Sequence, residues 1–341
     1  MTPAACILGC TGPVLTSAEA ALFADVQPWG FILFARNVDS PDQVRALTAS
    51  LRDAVGRPGA PVFIDQEGGR VQRLGPPHWP RYPAGRYYGA LRGNDPLLGR
   101  GIARLGARLI AHDLAALGIN VDCMPVLDVP ARDAHPVIGD RAYGDMPDEV
   151  AVLGRAACEG LIAGGVLPVL KHIPGHGRAT SDSHLELPVV EADLDHLEQS
   201  DFVPFRALSD MPMAMTAHVV FTAIDFRQPA TTSRKVIRSI VREAIGFDGL
   251  LISDDISMAA LSGDPGQRAR RARRAGCDMV LHGNGVLAEM GAVAEGTGRL
   301  RGRSLRRADA ALARVARFPE PFDADAGRAR FEAAFEGRWA A

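Results

Sequence analysis

Val166-Leu167-Pro168-Val169-Leu170-Lys171-His172-Ile173-Pro174-Gly175-His176-Gly177 is an apolar run that ends abruptly in a lysine, two histidines and a Pro-Gly turn. The apolar half reads as a buried strand. The Gly/Ser-rich continuation to Asp182-Ser183-His184 reads as a loop. A structural loop has little use for so many titratable groups. A second run of the same build, Gly249-Leu250-Leu251-Ile252, stops at Ser253-Asp254-Asp255. Two buried strands ending in polar groups point to a parallel α/β fold, where chemistry collects at the C-terminal ends of the strands.

Outward from these two runs, short apolar stretches alternate with longer helical patterns along the whole chain. Strands are expected at 4–9, 30–35, 61–65, 120–127, 166–172, 212–218, 249–254 and 278–282. Helices are expected at 17–26, 41–55, 96–117, 147–163, 191–208 with a break at Pro204, 233–245, 266–275, 286–296 and 304–317. Eight β–α units, apolar on both faces of each strand and joined by no Pro/Gly/Ser-rich linker, predict an α/β fold of one domain. That domain is a (β/α)8 TIM barrel over residues 1–320, with 321–341 as a tail packed on it; a doubly wound sheet is the weaker fit.

The strand ends then define one rim. In order they carry Asp65-Gln66-Glu67-Gly68-Gly69-Arg70, Asp128, Lys171-His172, His218, Asp254-Asp255 and His282-Gly283-Asn284. Any one of these alone is better read as a helix cap or a packed ring; together they make the rim the candidate site. Long loops at 68–94, 129–146 and 173–188 border it, and Trp79, Tyr82, Tyr87 and Tyr88 in the first are expected to wall a ligand.

Composition narrows the function. A net charge of −2 over 341 residues supplies no field for nucleic acid or an anionic membrane. The arginine runs at 268–274 and 299–307 read as solvated helix faces. With no run of 18 apolar residues and no signal-peptide pattern at the start, a cytoplasmic enzyme acting as a monomer on a small molecule is expected. The five cysteines are odd in number and lie mostly in apolar runs, so buried thiols are expected. Lysine occurs only at 171 and 235 in a chain otherwise rich in arginine, so Lys171 marks a place that wants a compact ammonium.

Two chemistries compete on these residues. His172, His176, His184 and His218 with Asp254 could ligate a metal, although the Pro-Gly pair keeps His172 and His176 off one helical face. Glycoside chemistry needs a carboxylate at the anomeric carbon and a proton donor at the leaving oxygen. Asp254 and His184, the latter paired with Asp182, offer those.

The motif Lys171-His172-Ile173-Pro174-Gly175-His176-Gly177 with Asp182-Ser183-His184 resembles the signature of the bacterial β-N-acetylhexosaminidases of glycoside hydrolase family 3. The stretches 249–258, 64–73 and 139–143 resemble the same family in order, so the likeness spans roughly residues 5–320. Its short form recycles cell-wall muropeptides. The resemblance implies a nucleophile at Asp254, an acid/base at His184 with Asp182 as its partner, and sugar contacts from Asp65, Arg73, Arg141, Lys171 and His172, with no cofactor and no metal. Ile173, where the family favours an aromatic, and Ala259-Ala260 depart from the pattern without touching a reacting group. A phosphorylase and a metal-dependent barrel hydrolase stand as the alternatives.

Overall fold

The computed structural model describes residues 2–315 and 319–335. Eight parallel strands close on themselves: β1 Ala4–Leu8, β2 Pro28–Leu33, β3 Val62–Ile64, β4 Val121–Asp122, β5 Leu167–Ile173, β6 Met213–Thr216, β7 Leu250–Asp255 and β8 Met279–His282. Neighbours in the barrel follow chain order, and β8 pairs back on β1 through Cys6↔Val280 and Leu8↔His282. The predicted TIM-barrel architecture is therefore the one observed.

Strand parity explains why every strand reads as apolar throughout. Ala5, Ile7, Phe63, Val121, Leu167, Val169, Met213, Met215, Leu250, Ile252, Met279 and Leu281 form one buried cluster inside the barrel. The residues that alternate with them, such as Cys6, Leu170, Ala214, Leu251 and Val280, belong to the larger cluster under the helices. Leu300, Ala308 and Ala311, from the helix Gly302–Leu312 and the turn before it, join the inner cluster. Leu300 N–H donates to Pro3 O at the start of β1, so this helix closes the barrel at its N-terminal end. All five cysteines are free and buried.

Four local readings need correction. The fourth strand, expected over 120–127, is regular only at Val121–Asp122; Pro125 brings no N–H to the sheet, and pairing with β5 resumes at the Val126↔Lys171 bridge, where Leu127 N–H donates to Lys171 O at 2.7 Å. The helix expected over 191–208 breaks between Gln199 and Phe202; Pro204 lies in the first turn of the second piece, where its missing N–H is not needed. An unforeseen helix, Gly85–Asn94, occupies the Pro-rich loop. Its glycines let it sit directly on the chain at 141–143: a Cβ on Gly85 would stand 2.3 Å from Arg141 O, and one on Gly89 would stand 2.2 Å from Tyr143 O. That packing also removes the expected aromatic wall. Trp79, Tyr82 and Tyr88 are buried, Tyr82 Oη donates to Asp113 Oδ2 at 2.6 Å, and Tyr88 stacks against Tyr143.

The helix expected at 304–317 is Gly302–Leu312, and positions 316 and 317 of that reading lie outside the described residues. In the tail, helix Ala324–Phe335 brings Phe331 and Phe335 against Tyr88. Positions 336–341 lie outside the described residues. No helix among the described residues is long and apolar enough to cross a membrane.

Candidate active site

The inward parity of the strands carries on past their ends. Phe63 points into the barrel, so Asp65 and Glu67, two and four residues on, continue the same face of extended chain. Lys171 follows Val169 on the inner face of β5, and Asp254 follows Ile252 on that of β7. Parity alone would turn His172 outward. The register of β5 on β6 shifts between Lys171 and Ile173, where the Lys171–His172 peptide bond is cis, and His172 lines the opening.

One cavity of about 380 Å³ at this rim is lined by Asp65, Arg73, Arg141, Lys171, His172, Asp182, His184 and Asp254. All eight residues expected at the site thus line a single pocket. None of Trp79, Tyr82, Tyr87 or Tyr88 is among its lining residues.

A charge cluster makes the floor. Lys171 Nζ stands 3.0 Å from Asp65 Oδ1 and 2.6 Å from Glu67 Oε1. Arg73 Nη2 donates to Asp65 Oδ2 at 3.0 Å. Arg141 grips Glu67 through two bonds of 2.8 Å, the bidentate fork that a guanidinium makes with a carboxylate. Burial favours the neutral acid at Asp65, but Lys171 and Arg73 outweigh it and hold its carboxyl well below the usual range. At Glu67 burial is likewise outweighed by Arg141 and Lys171, which bring it to about 2. Burial works against the Lys171 ammonium, and the two carboxylates hold it charged. A carboxylate has about four acceptor sites, and Lys171 and Arg73 take two of those on Asp65. Two remain for ligand hydroxyls.

Glu67 and Asp128 are the residues that sequence reasoning left without a role. Both lay among the residues noted at the strand ends, and the alternation Asp65-x-Glu67 was a usable sign that the two acids share a face. Asp128 is fully buried; its Oδ2 lies 2.7 Å from His172 Nδ1, and its Oδ1 accepts the N–H groups of His172 (3.1 Å) and His176 (2.7 Å). Burial notwithstanding, His172 and His176 bring its carboxyl to about 2. Asp128 thereby fixes which way the His172 ring faces.

Asp254 accepts the N–H of Asp255 at 2.8 Å. Burial raises its proton affinity, but His218, His172, that N–H and Lys171 together hold it below the usual carboxylate range. Asp255 is occupied otherwise: its Oδ1 accepts from Ser257 N at 2.9 Å, and both its oxygens lie 3.2 Å from Gly283 N. Behind the pair, the buried His218 is held between Thr231 Oγ1 (2.7 Å) and Asp255 O (3.1 Å).

Asp182 and His184 sit on the loop after β5. His184 Nδ1 lies 2.7 Å from Asp182 Oδ1, which also accepts the His184 N–H at 2.9 Å. Partial burial opposes ionisation of Asp182, and the bonds and charge of His184, with the charge of His135, outweigh it. Between them Ser183 is buried: its Oγ is 3.3 Å from His176 Nε2, and its carbonyl accepts Ala260 N–H. The loop of the dyad is thus tied to the chain that follows Asp254. Among the described residues, no three His, Cys, Asp or Glu side chains converge in an arrangement fit to hold a metal ion.

Chemically the pocket offers the ionised Asp254 carboxylate, which has no salt-bridge partner among the described residues, the exposed carboxylate-bound imidazole of His184 and a floor of polar clamps. That is the equipment of a glycosidase. The family model of the glycosyl hydrolase family 3 N-terminal domain matches residues 14–318. The chain belongs to glycosyl hydrolase family 3. A beta-hexosaminidase of Alkalilimnicola ehrlichii is 42% identical to this family 3 chain over 279 residues, covering 81% of it and 79% of its own length. NagZ from Neisseria gonorrhoeae, solved in complex with N-trifluoroacetyl-D-glucosamine, superposes with a TM-score of 0.85 at 32% identity, over 98% of this chain and 96% of that one. A family 3 β-N-acetylglucosaminidase from a Paenibacillus species gives 0.86 at 31% identity, over 97% of this chain and 67% of that one. The family expected from the four motifs is the family found.

Proposed function

We propose that this family 3 chain is a retaining exo-β-N-acetylglucosaminidase that releases terminal β-linked N-acetylglucosamine, with N-acetylglucosaminyl-anhydro-N-acetylmuramyl peptides of cell-wall recycling as its natural substrates. The observation that carries this reading is the meeting, in one pocket, of Asp254 and the Asp182–His184 pair above the Asp65/Glu67/Lys171/Arg141 floor.

Asp254 is the nucleophile. Its depressed proton affinity keeps it ionised at neutral pH, and Asp255 is already spent on backbone N–H groups. His184 is the acid/base. Its Nδ1 is held by Asp182, which leaves Nε2 to give a proton to the leaving oxygen as the bond from anomeric carbon to oxygen breaks and the bond to the Asp254 carboxylate forms. The neutral imidazole then takes a proton from the water that displaces Asp254, and two inversions give net retention. An imidazolium that becomes neutral avoids a second anion beside the nucleophile.

Asp65, Arg73, Arg141, Lys171 and His172 clamp the sugar, and Glu67 holds Arg141 and Lys171 in place to do so. Buried polar contacts of this kind reject a sugar that lacks the matching group.

The reading is tested by following an aryl N-acetyl-β-glucosaminide by NMR. The first product should be the β-anomer, and a fluorinated-sugar trap should label Asp254; Asp254→Ala should abolish turnover with the fold intact. An α-anomer as first product, or a label on Asp255, would overturn the mechanism. Release of a sugar 1-phosphate in phosphate buffer would make the enzyme a phosphorylase.

A further inference from the structure

A second cavity, of about 570 Å³, adjoins the sugar pocket and shares Ile138 with it. Its lining comes from loops that also position the acid/base. Ala131 N–H donates to Gly177 O at 3.0 Å, and His135 N–H donates to Ala179 O at 2.8 Å, so the loop after β4 is stitched to the segment leading to Asp182. The stitching is close: a Cβ on Gly177 would stand 2.0 Å from Val129 O. His135 is near enough to Asp182 to act on its carboxyl electrostatically.

The charges in this cavity are unspent. Arg86 and Arg132 line it, and among the described residues neither has a hydrogen-bond or ion-pair partner in the chain. By contrast, Arg70 and Arg141 in the neighbouring pocket are both paired with carboxylates. His135 Nδ1 accepts Val137 N–H at 3.1 Å, and its Nε2 has no hydrogen-bond partner among the described residues, which leaves it open to a ligand. Against two guanidiniums and this imidazole stands one carboxylate in the lining, Asp145.

The direction of departure places this cavity on the aglycone side. His184 protonates the leaving oxygen, so whatever is attached to that oxygen must pass the Asp182–His184 segment, and the loops bonded to that segment form the cavity. We propose that it is a subsite for carboxylates carried on the aglycone, with Arg86 and Arg132 as counter-ions and His135 Nε2 as a donor. The inference rests on the glycosidase reading and on His184 as its acid. It narrows the substrate class to glycosides whose leaving sugar bears an acidic substituent such as a peptide with free carboxylates.

The test uses the full chain and an Arg86→Ala/Arg132→Ala double variant on three substrates: an aryl N-acetyl-β-glucosaminide, a disaccharide whose leaving sugar carries a peptide with free carboxylates, and the methyl ester of that disaccharide. Two lost charge-assisted contacts should lower kcat/KM on the carboxylate substrate roughly tenfold or more, mainly through KM. The aryl substrate should change less than about twofold, and the ester should be as poor for the unaltered chain as for the variant. Added salt should erode the advantage of the free acid over the ester, because both arginines are exposed. Equal rates on acid and ester, or a double variant that handles the acid as the unaltered chain does, would overturn the subsite. Failure of the unaltered chain on the aryl glycoside would instead sink the glycosidase reading, and calorimetric binding of the acid to the two proteins would still decide whether the arginines hold it.

Discussion

His184 Nδ1 lies 2.7 Å from Asp182 Oδ1 while the His184 ring stays 65% exposed, so the imidazole is oriented by its carboxylate partner and not by packing. Three contacts hold the short segment in place of a core: the Asp182 carboxylate on the His184 N–H, the His176–Ser183 contact and the Ala260–Ser183 hydrogen bond. A segment anchored mostly by polar contacts is suited to closing over a substrate.

If His184 is the acid, its loss must depend on the leaving group. His184→Ala should lower kcat by roughly 10²–10⁴ on a disaccharide, whose alkoxide needs the proton, and far less at the glycosylation step of an activated aryl glycoside. Rates across a series of phenol leaving groups check this. Equal losses along the series would remove His184 from the acid role.

If Asp254 attacks directly, the 2-acetamido group is a binding feature only. A thiazoline analogue of the cyclised acetamido intermediate should then inhibit no better than N-acetylglucosamine itself, as measured by competitive Ki. Tight inhibition would point to attack by the acetamido oxygen.

Glu67 neutralises Lys171 and half-encloses Arg141, so Glu67→Gln leaves two buried cations short of an anion. Breaking such a pair costs about 3–5 kcal/mol. The carboxyl is depressed from 4.5 to about 2 in the fold, so its contribution is present above pH 4.5 and is lost as the pH falls toward 2. Urea denaturation should show the full deficit at pH 7 and a shrinking one in acid. A deficit independent of pH would mean that shape, not charge, is at stake.

Asp122 behaves in the opposite sense. It is fully buried beneath the charge cluster, with Oδ1 accepting Gln66 N–H at 2.9 Å and Oδ2 without a hydrogen-bond partner among the described residues, and burial pushes its carboxyl up to about 8. Its folded-state value exceeds its unfolded one, so stability is lost as the pH rises from 3.8 toward 8. Asp122→Asn keeps the acceptor for Gln66 and cannot ionise. Its melting temperature relative to the unaltered chain should rise steadily between pH 5 and pH 8. A constant difference over that range would show that Asp122 is ionised throughout.

The barrel was legible in the chain because each buried strand of a parallel barrel is apolar on both faces and stops at a polar group, as at Leu170-Lys171 and Ile252-Ser253-Asp254. Local periodicity and strand ends are enough for that reading. The helix Gly85–Asn94 was not legible, since its glycines make sense only against the chain at 141–143, some fifty residues away. For the same reason the sequence reads Tyr82 and Tyr88 as part of a ligand wall, whereas they pack under the tail helix.

By itself, then, the sequence determined the fold class, the family and eight of the residues that line the pocket, because motifs and strand parity are local properties of the chain. Only the tertiary structure decided how those residues are paired. That Lys171 serves both Asp65 and Glu67, that Asp128 orients His172, and that among the described residues Arg86 and Arg132 are left unpaired beside the loop of Asp182 and His184 all depend on distances between segments far apart in the chain. Coulomb energies and hydrogen bonds follow those distances, and no local pattern of residues encodes them.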